Sequence, residues 1–335
     1  MSLPTTRLGG TDFDITAVGF GAWAIGGGGW AFGWGAQDDA ESEQAIRYAV
    51  DAGVNWIDTA AVYGLGHSEE VVARAISDIP ASERPAVFTK CGLIWDPAAP
   101  MKPSLRVGAP DSIRAELDDS LKRLGVEQID LYQLHWPPQD GTPIPDTVGT
   151  LNDLKKEGKI RAVGVSNFSV AQLELAAQGG GVDTLQPPFS PIAREVAEDV
   201  LPYCAEHGIG VIVYSPMHSG LLTGAWSAAR TSTLDDDDWR RKNPDFSGDR
   251  LTRNLALVEV LRDVADRHQT TVGAVSIAWT RAFPGVTAAI VGARRPAQID
   301  GWLAAATLTL TDTDLDEIAA GIAATGAGEG PTRPA

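Results

Sequence analysis

One rhythm constrains this chain more than any other feature. Short apolar runs, each leading straight into a polar residue, alternate with stretches whose apolar positions recur at helical spacing. The apolar runs cover residues 19–23, 55–59, 86–89, 129–135, 162–166, 184–186, 210–214 and 288–291. Runs apolar at consecutive positions read as strands buried on both faces, so their polar residues collect at the ends. Helical patterns fall between them. Over 111–124, for example, Ile113, Leu117, Leu121 and Leu124 mark one face, with Asp111 placed to cap the start and Gly125 the stop. Eight strands with intervening helices predict an α/β chain folded as a (β/α)8 TIM barrel, its longer loops at the C-terminal face. Residues 6–8 and 13–18, flanking Gly9-Gly10-Thr11-Asp12, predict a short N-terminal β-hairpin. An open doubly wound sheet is the rival fold, but no GxGxxG follows the first strand. The glycine run 26–29 suits a tightly turning or mobile loop.

Length agrees with one barrel: 335 residues, 44% of them hydrophobic. The expected division is a barrel domain over 1–322 and a flexible Gly- and Pro-rich tail over 323–335. Lys and Arg number 27 against 44 Asp and Glu, a net charge of −17. Such a surface repels phosphate backbones and anionic lipid, so neither a nucleic-acid nor a membrane partner is expected. Only Cys91 and Cys204 are present, no membrane-length apolar stretch occurs, and the N-terminus lacks a signal-peptide pattern, which together point to the cytoplasm. The run Asp235-Asp236-Asp237-Asp238 reads as solvated surface, or as a helix start or lid over a site.

The chemistry gathers at strand ends. Asp58 closes the second strand, with Tyr63 five residues on; Lys90 closes the third; His135 closes the fourth. Neighbouring strands bring these four side chains to one point on the C-terminal face. Reduction of a carbonyl needs a hydride on carbon and a proton on oxygen. A phenol is a reluctant acid, and an adjacent ammonium favours its ionised form, so Lys90 is expected to lower the pKa of Tyr63. Asp58 would keep Lys90 charged, and His135 would donate a hydrogen bond to the substrate oxygen. Nothing near His135 supplies a second ligand at metal-binding spacing, so no metal is expected.

At Asn55-Trp56-Ile57-Asp58-Thr59-Ala60-Ala61-Val62-Tyr63-Gly64, at Gly158-Lys159-Ile160-Arg161-Ala162-Val163-Gly164-Val165-Ser166-Asn167 and at Ile290-Val291-Gly292-Ala293-Arg294-Arg295-Pro296, the chain resembles the aldo-keto reductase family. The resemblance runs from Arg7 to about Leu315. It implies a metal-free barrel enzyme using NADP(H) by preference, or NAD(H), with Asp58, Tyr63, Lys90 and His135 as the catalytic tetrad. It implies cofactor contacts from Gly21, Ala22, Trp23, Asp58, Ser166, Asn167, Gln186, Tyr214, Ser215, Pro216, Ser219, Leu221, Gly292, Arg294 and Gln298. Independently of the family, Gly292 allows close approach to a phosphate, a helix begins near Pro296, and Arg294 with Arg295 offers a fork for a 2′-phosphate. Two departures stand out. Gln186-Pro187-Pro188-Phe189-Ser190 replaces the Tyr-Asn pair that follows the Gln in many relatives, and Trp302 stands where many place an Asn against the adenine. Trp30, Trp34, Trp95 and Trp136 are the candidate walls of a pocket for a small carbonyl, sugar or alcohol substrate. The reading is thus a reversible aldehyde or ketone reductase. The alternatives are a sugar or alcohol dehydrogenase of the same fold and a non-enzymatic, cofactor-sensing or partner-binding barrel. Monomer and homo-oligomer both stay open.

Overall fold

Eight parallel strands close on themselves in the computed structural model, which describes residues 3–236 and 238–334. In chain order they are β1 (Val18–Gly21), β2 (Trp56–Asp58), β3 (Ala86–Cys91), β4 (Ile129–Leu134), β5 (Ile160–Ser166), β6 (Thr184–Gln186), β7 (Gly210–Val213) and β8 (Val286–Gly292). Each pairs with its sequence neighbours, and β8 returns to β1 through Ala289–Val18 to Gly292–Gly21. Parallel neighbours require a crossover, and helices supply it. All eight expected strands are present, with ends shifted by up to two residues.

The period of two sorts the strand side chains. Trp56, Phe88, Leu131, Ala162, Ile212, Ala288 and Ile290 fill the barrel interior. Their neighbours Ile57, Val87, Tyr132, Val163, Val211 and Ala289 face the helices. The expected hairpin is Thr5–Arg7 paired antiparallel with Asp14–Thr16, and its Leu8, Phe13 and Ile15 join the interior cluster. The helix Asp39–Asp51 buries Ser42, Ala45, Ile46 and Ala49 on one face, and Asp38 caps it by accepting from the Glu41 N–H at 2.9 Å. Pro110–Leu124 buries Ile113, Leu117 and Leu124 and stops at Gly125, whose φ is 65°. Asp111 lies inside its first turn rather than capping it, because Pro110 takes the first helical position, where its fixed φ and missing N–H cost nothing.

The C-terminus departs from expectation. The last helix, Asp312–Thr325, runs past the boundary drawn at 322. The chain beyond it does not hang free. Ala327 is buried, and the buried Arg194 donates from Nη1 to Ala327 O (3.0 Å), from Nε to Gly330 O (3.2 Å) and from its backbone N–H to Glu329 O (3.1 Å). A buried guanidinium needs acceptors, and the carbonyls of this stretch provide them. Among the described residues, no helix is long and apolar enough to cross a membrane.

Candidate active site

The four singled-out residues converge at the C-terminal ends of β2, β3 and β4. Lys90 Nζ donates to Asp58 Oδ1 (2.5 Å), to Thr59 O (2.9 Å) and to the Tyr63 hydroxyl (3.3 Å). The Tyr63 and His135 rings meet edge to face with centroids 5.6 Å apart. Asp58, Tyr63 and His135 line one cavity, while Lys90 is buried beneath it. Tyr63 is aimed by a tight turn, in which Gly64 (φ 60°) and Leu65 (φ 56°) are left-handed. The turn lies directly on the glycine run: a Cβ on Gly64 would sit 2.2 Å from Gly26 O. Gly26 therefore has a packing role, beyond the looseness expected of that run.

Asp58 holds more than Lys90. Its Oδ2 accepts from Gln133 Nε2 (3.1 Å) and from Gln186 Nε2 (2.9 Å), and Gln186 Nε2 also donates to Gln133 Oε1 (3.0 Å). A buried ion pair is stable only when its remaining lone pairs are satisfied, and the two amides do this. Gln133 was not singled out from the sequence. The signal was there: it stands two residues before His135, so it shares that residue's face of β4.

Burial sets the electrostatics. It pushes the Tyr63 phenol well above its ordinary value, with the Asp58 carboxylate adding to the shift. Lys90 is drawn below the usual ammonium range by burial, against the pull of Asp58. The expected lowering of Tyr63 by Lys90 is therefore not found, because desolvation of the phenolate outweighs the ammonium. His135 is held well below its ordinary value by burial, then by Lys90 and Arg106, and is neutral at neutral pH. The resting site thus presents a protonated phenol and an uncharged imidazole to the cavity.

That cavity has a volume of about 1310 Å³ and runs from Tyr63 and His135 to Arg294 and Gln298. Gly21, Ala22, Trp23, Ser166, Asn167, Gln186, Tyr214, Ser215, Pro216, Ser219 and Gly292 line it as well. Leu221 does not: it is fully buried in the core. Several polar groups are held by the chain itself. Asn167, left-handed at φ 64°, donates to His135 O (3.1 Å) and accepts from the Tyr214 hydroxyl (2.8 Å). Ser166 Oγ donates to Gln186 O (2.7 Å). Gln186 Oε1 faces the same cavity and takes no hydrogen bond from the described residues. Ser215, His218 and Ser219 are also left-handed, so strained backbone collects at this rim.

At the far end, the helix Pro296–Leu303 starts without a side-chain cap. Arg294 is not a free fork. It donates to Gln37 Oε1 (2.5 Å), Trp34 O (3.2 Å) and Ala36 O, tying the segment 34–37 to the end of β8. Arg295 is exposed on the cavity rim. Gln298 accepts from the Arg294 N–H (2.7 Å). Trp302 is 1% exposed and its Nε1 has no partner among the described residues; it is a packed wall of the cavity. Of the departure after Gln186, Phe189 turns into the core against Trp279 and Phe283.

Trp30, Trp34 and Trp136 line the cavity, but Trp95 does not; it packs, as Tyr63 does, against the buried cluster of Trp30, Ala60 and Val62. Sequence reasoning missed a second set of walls. Trp239 stacks on Trp23 (5.6 Å, 17°). Arg240 pairs with Asp238 (2.5 Å) and lies over Trp34 (4.3 Å) and Trp226 (5.2 Å). The acidic run is thus split in use: Asp238 turns inward to cap and pair, while Asp236 stays exposed. An Arg directly after Trp was the available clue. The donor set fits a dinucleotide: a long cavity, glycines at two strand ends, an uncapped helix start and a cation at the far rim.

Residues 17–322 match the model of the aldo/keto reductase family. Aldo-keto reductase YhdN of Bacillus subtilis (strain 168) is 35% identical over 314 residues, 93% of this chain and 92% of that one. The NADH-specific methylglyoxal reductase of Escherichia coli (strain K12) is 36% identical over 322 residues, 92% of this chain and 94% of that one. Among solved structures, a glycerol dehydrogenase from Gluconobacter oxydans superposes with a TM-score of 0.86 at 37% identity, covering 98% of each chain. The chain belongs to the aldo-keto reductase family, and its general activity is that of an oxidoreductase of this family.

Proposed function

We propose that this protein is a nicotinamide-dependent reductase of small aldehydes and ketones, with Tyr63 as general acid in reduction and general base in the reverse direction. One observation carries the reading: Lys90 Nζ, fixed by Asp58, lies 3.3 Å from the Tyr63 oxygen at a cavity shared with a neutral His135. When bound, the cofactor supplies the hydride that ends on the carbonyl carbon. Tyr63 gives its proton to the carbonyl oxygen, and the product is the alcohol. Lys90 then stabilises the phenolate by a charge-assisted hydrogen bond, and Asp58 keeps that lysine protonated. His135 donates an N–H to the same oxygen and orients it. The tryptophans around the mouth exclude water.

Gly21, Ala22 and Trp23 would hold the nicotinamide half from beneath, Gln186 Oε1 the carboxamide, and Tyr214 the ring face. Ser215, Pro216, Ser219 and Gly292 would lie along the phosphates. Arg295, at the rim, is the cation available to a 2′-phosphate, so NADP(H) is the preferred cofactor in this reading. The E. coli relative is NADH-specific by name, which makes NAD(H) the direct alternative. Both cysteines are free and buried, in accord with a cytoplasmic setting.

The test is consumption of NADPH or NADH with a panel of small aldehydes, sugars and diketones. Turnover on one or more is expected; binding without turnover on any would replace the reading with a cofactor-sensing barrel. A second reading, oxidation of a sugar or alcohol by the same site, is favoured by the likeness to a glycerol dehydrogenase. Rates with the oxidised cofactor and polyols decide between the directions.

A further inference from the structure

The catalytic end of the cavity carries a cation that the proposed chemistry does not use. Arg106 belongs to a two-residue β-pair, Leu93–Ile94 with Leu105–Arg106, on the loop that follows β3. Its backbone is held by Leu93, its sheet partner, and by Arg106 O accepting from the Gln139 N–H (2.9 Å), and the next residue is tied down by Val107 N–H donating to Gly92 O (3.1 Å). Its guanidinium lies 4.1 Å from the centre of the Trp136 ring, next in sequence to His135. It is half-buried, lines the cavity, and has no carboxylate or side-chain hydrogen-bond partner among the described residues.

Other arginines of this chain also lack an acidic partner, but Arg194 and Arg294 donate to main-chain carbonyls, whereas Arg106 is set only against the Trp136 ring. The ring stacks on one face of the guanidinium and leaves the edge donors unused. Among the described residues three carboxylates line the cavity and none pairs with Arg106. Asp58 is engaged by Lys90, Gln133 and Gln186, Asp38 caps the helix Asp39–Asp51, and Glu41 acts on Arg294 at the far end. Arg106 also contributes to holding His135 below its ordinary pKa, which places its charge within reach of the reacting end. The overall charge of −17 repels anions, so a local cation at this end has a selective effect there.

We infer that Arg106 is a specificity-determining residue that selects carbonyl substrates bearing a carboxylate or phosphate group. This rests on the proposed reductase reading and names its substrate class. The shared chemistry is an oxyanion that takes two N–H donors from one planar fork. The anion sits against Arg106 and Trp136 while the carbonyl faces Tyr63 and His135.

The test compares kcat/KM for matched pairs: succinate semialdehyde against butanal, and glyceraldehyde 3-phosphate against glyceraldehyde. At least one anionic member is expected to exceed its neutral partner by about tenfold or more, and the pair that does so tells carboxylate from phosphate. Arg106→Gln is expected to bring that ratio to about one, chiefly by raising KM for the anionic member, and Arg106→Lys to restore part of it. Unchanged cofactor binding and circular dichroism establish that the variants are folded. A wild-type ratio near one in both pairs, or a ratio that Arg106→Gln does not move, overturns the inference while neutral turnover leaves the reductase reading standing. No turnover of any carbonyl overturns both.

Discussion

Lys90 is buried with its charge compensated on three sides, by Asp58, Thr59 O and the Tyr63 oxygen. Lys90→Met would strand the Asp58 carboxylate in the barrel. Chemical denaturation should show a loss of about 3–5 kcal/mol, and the surviving folded protein should lose turnover with it. The Tyr63 phenol, raised by burial, keeps its proton through the neutral range. Carbonyl reduction should therefore hold its rate through the neutral range, while alcohol oxidation, which needs the phenolate, should climb with pH across the same span. A pH profile in both directions checks this. Behind the loop that carries Arg106, burial pushes the Glu116 carboxyl up to about 7, against the hydrogen bonds from Gly92 N–H (2.8 Å) and Ser112 (3.2 Å). The folded chain thus holds a proton that the unfolded chain has released. Stability contributed by that proton is present at low pH and is lost as pH rises towards about 7. Glu116→Gln should flatten this slope, read as melting temperature against pH. Asp58 and Lys90 were legible as strand-end residues, and Tyr63 by its place five residues beyond Asp58. Glu116 was not, because a polar residue on a helix reads as solvated until the helix's neighbours are known.

Elements fix how well those residues are aimed. The turn that presents Tyr63 rests on Gly26, and Gly64 is both left-handed and within 2.2 Å of Gly26 O once given a Cβ. Gly64→Ala should therefore reduce kcat by about tenfold or more through a displaced ring, with the barrel still folded by circular dichroism. The C-terminal strap behaves oppositely. Removing residues 326–335 would leave Arg194 without two of its side-chain acceptors, Ala327 O and Gly330 O. The expected cost is about 1–3 kcal/mol, seen as a lower melting temperature with kcat retained. The eight strands were legible because a strand buried on both faces has a signature of its own, apolar at every position and polar at the exit. The Leu93–Ile94 and Leu105–Arg106 pair was not, since two residues carry no period. The strap was misread for a related reason: Gly- and Pro-rich composition describes the chain's freedom and says nothing of a buried Arg194 waiting for its carbonyls.

Across the whole molecule, the barrel turns sequence order into spatial order, so three consecutive strand ends sufficed to bring the four candidate residues together. What sequence could not supply were partners far apart in the chain. Arg294 looks like an unengaged phosphate fork until it is seen to tie down residues 34–37, more than 250 positions earlier. Likewise, Trp239 and Arg240 close over Trp23 and Trp34 only because the long insert folds back across the mouth. The central claim is that Tyr63 delivers the proton while Lys90 and Asp58 support it. The most direct measurement is the rate of a single reductive turnover for Tyr63→Phe, set beside the cofactor dissociation constant of the same variant. A fall of at least ~100-fold in rate, with cofactor affinity close to wild type, is the predicted result. Turnover at the wild-type rate with the phenol gone would contradict it.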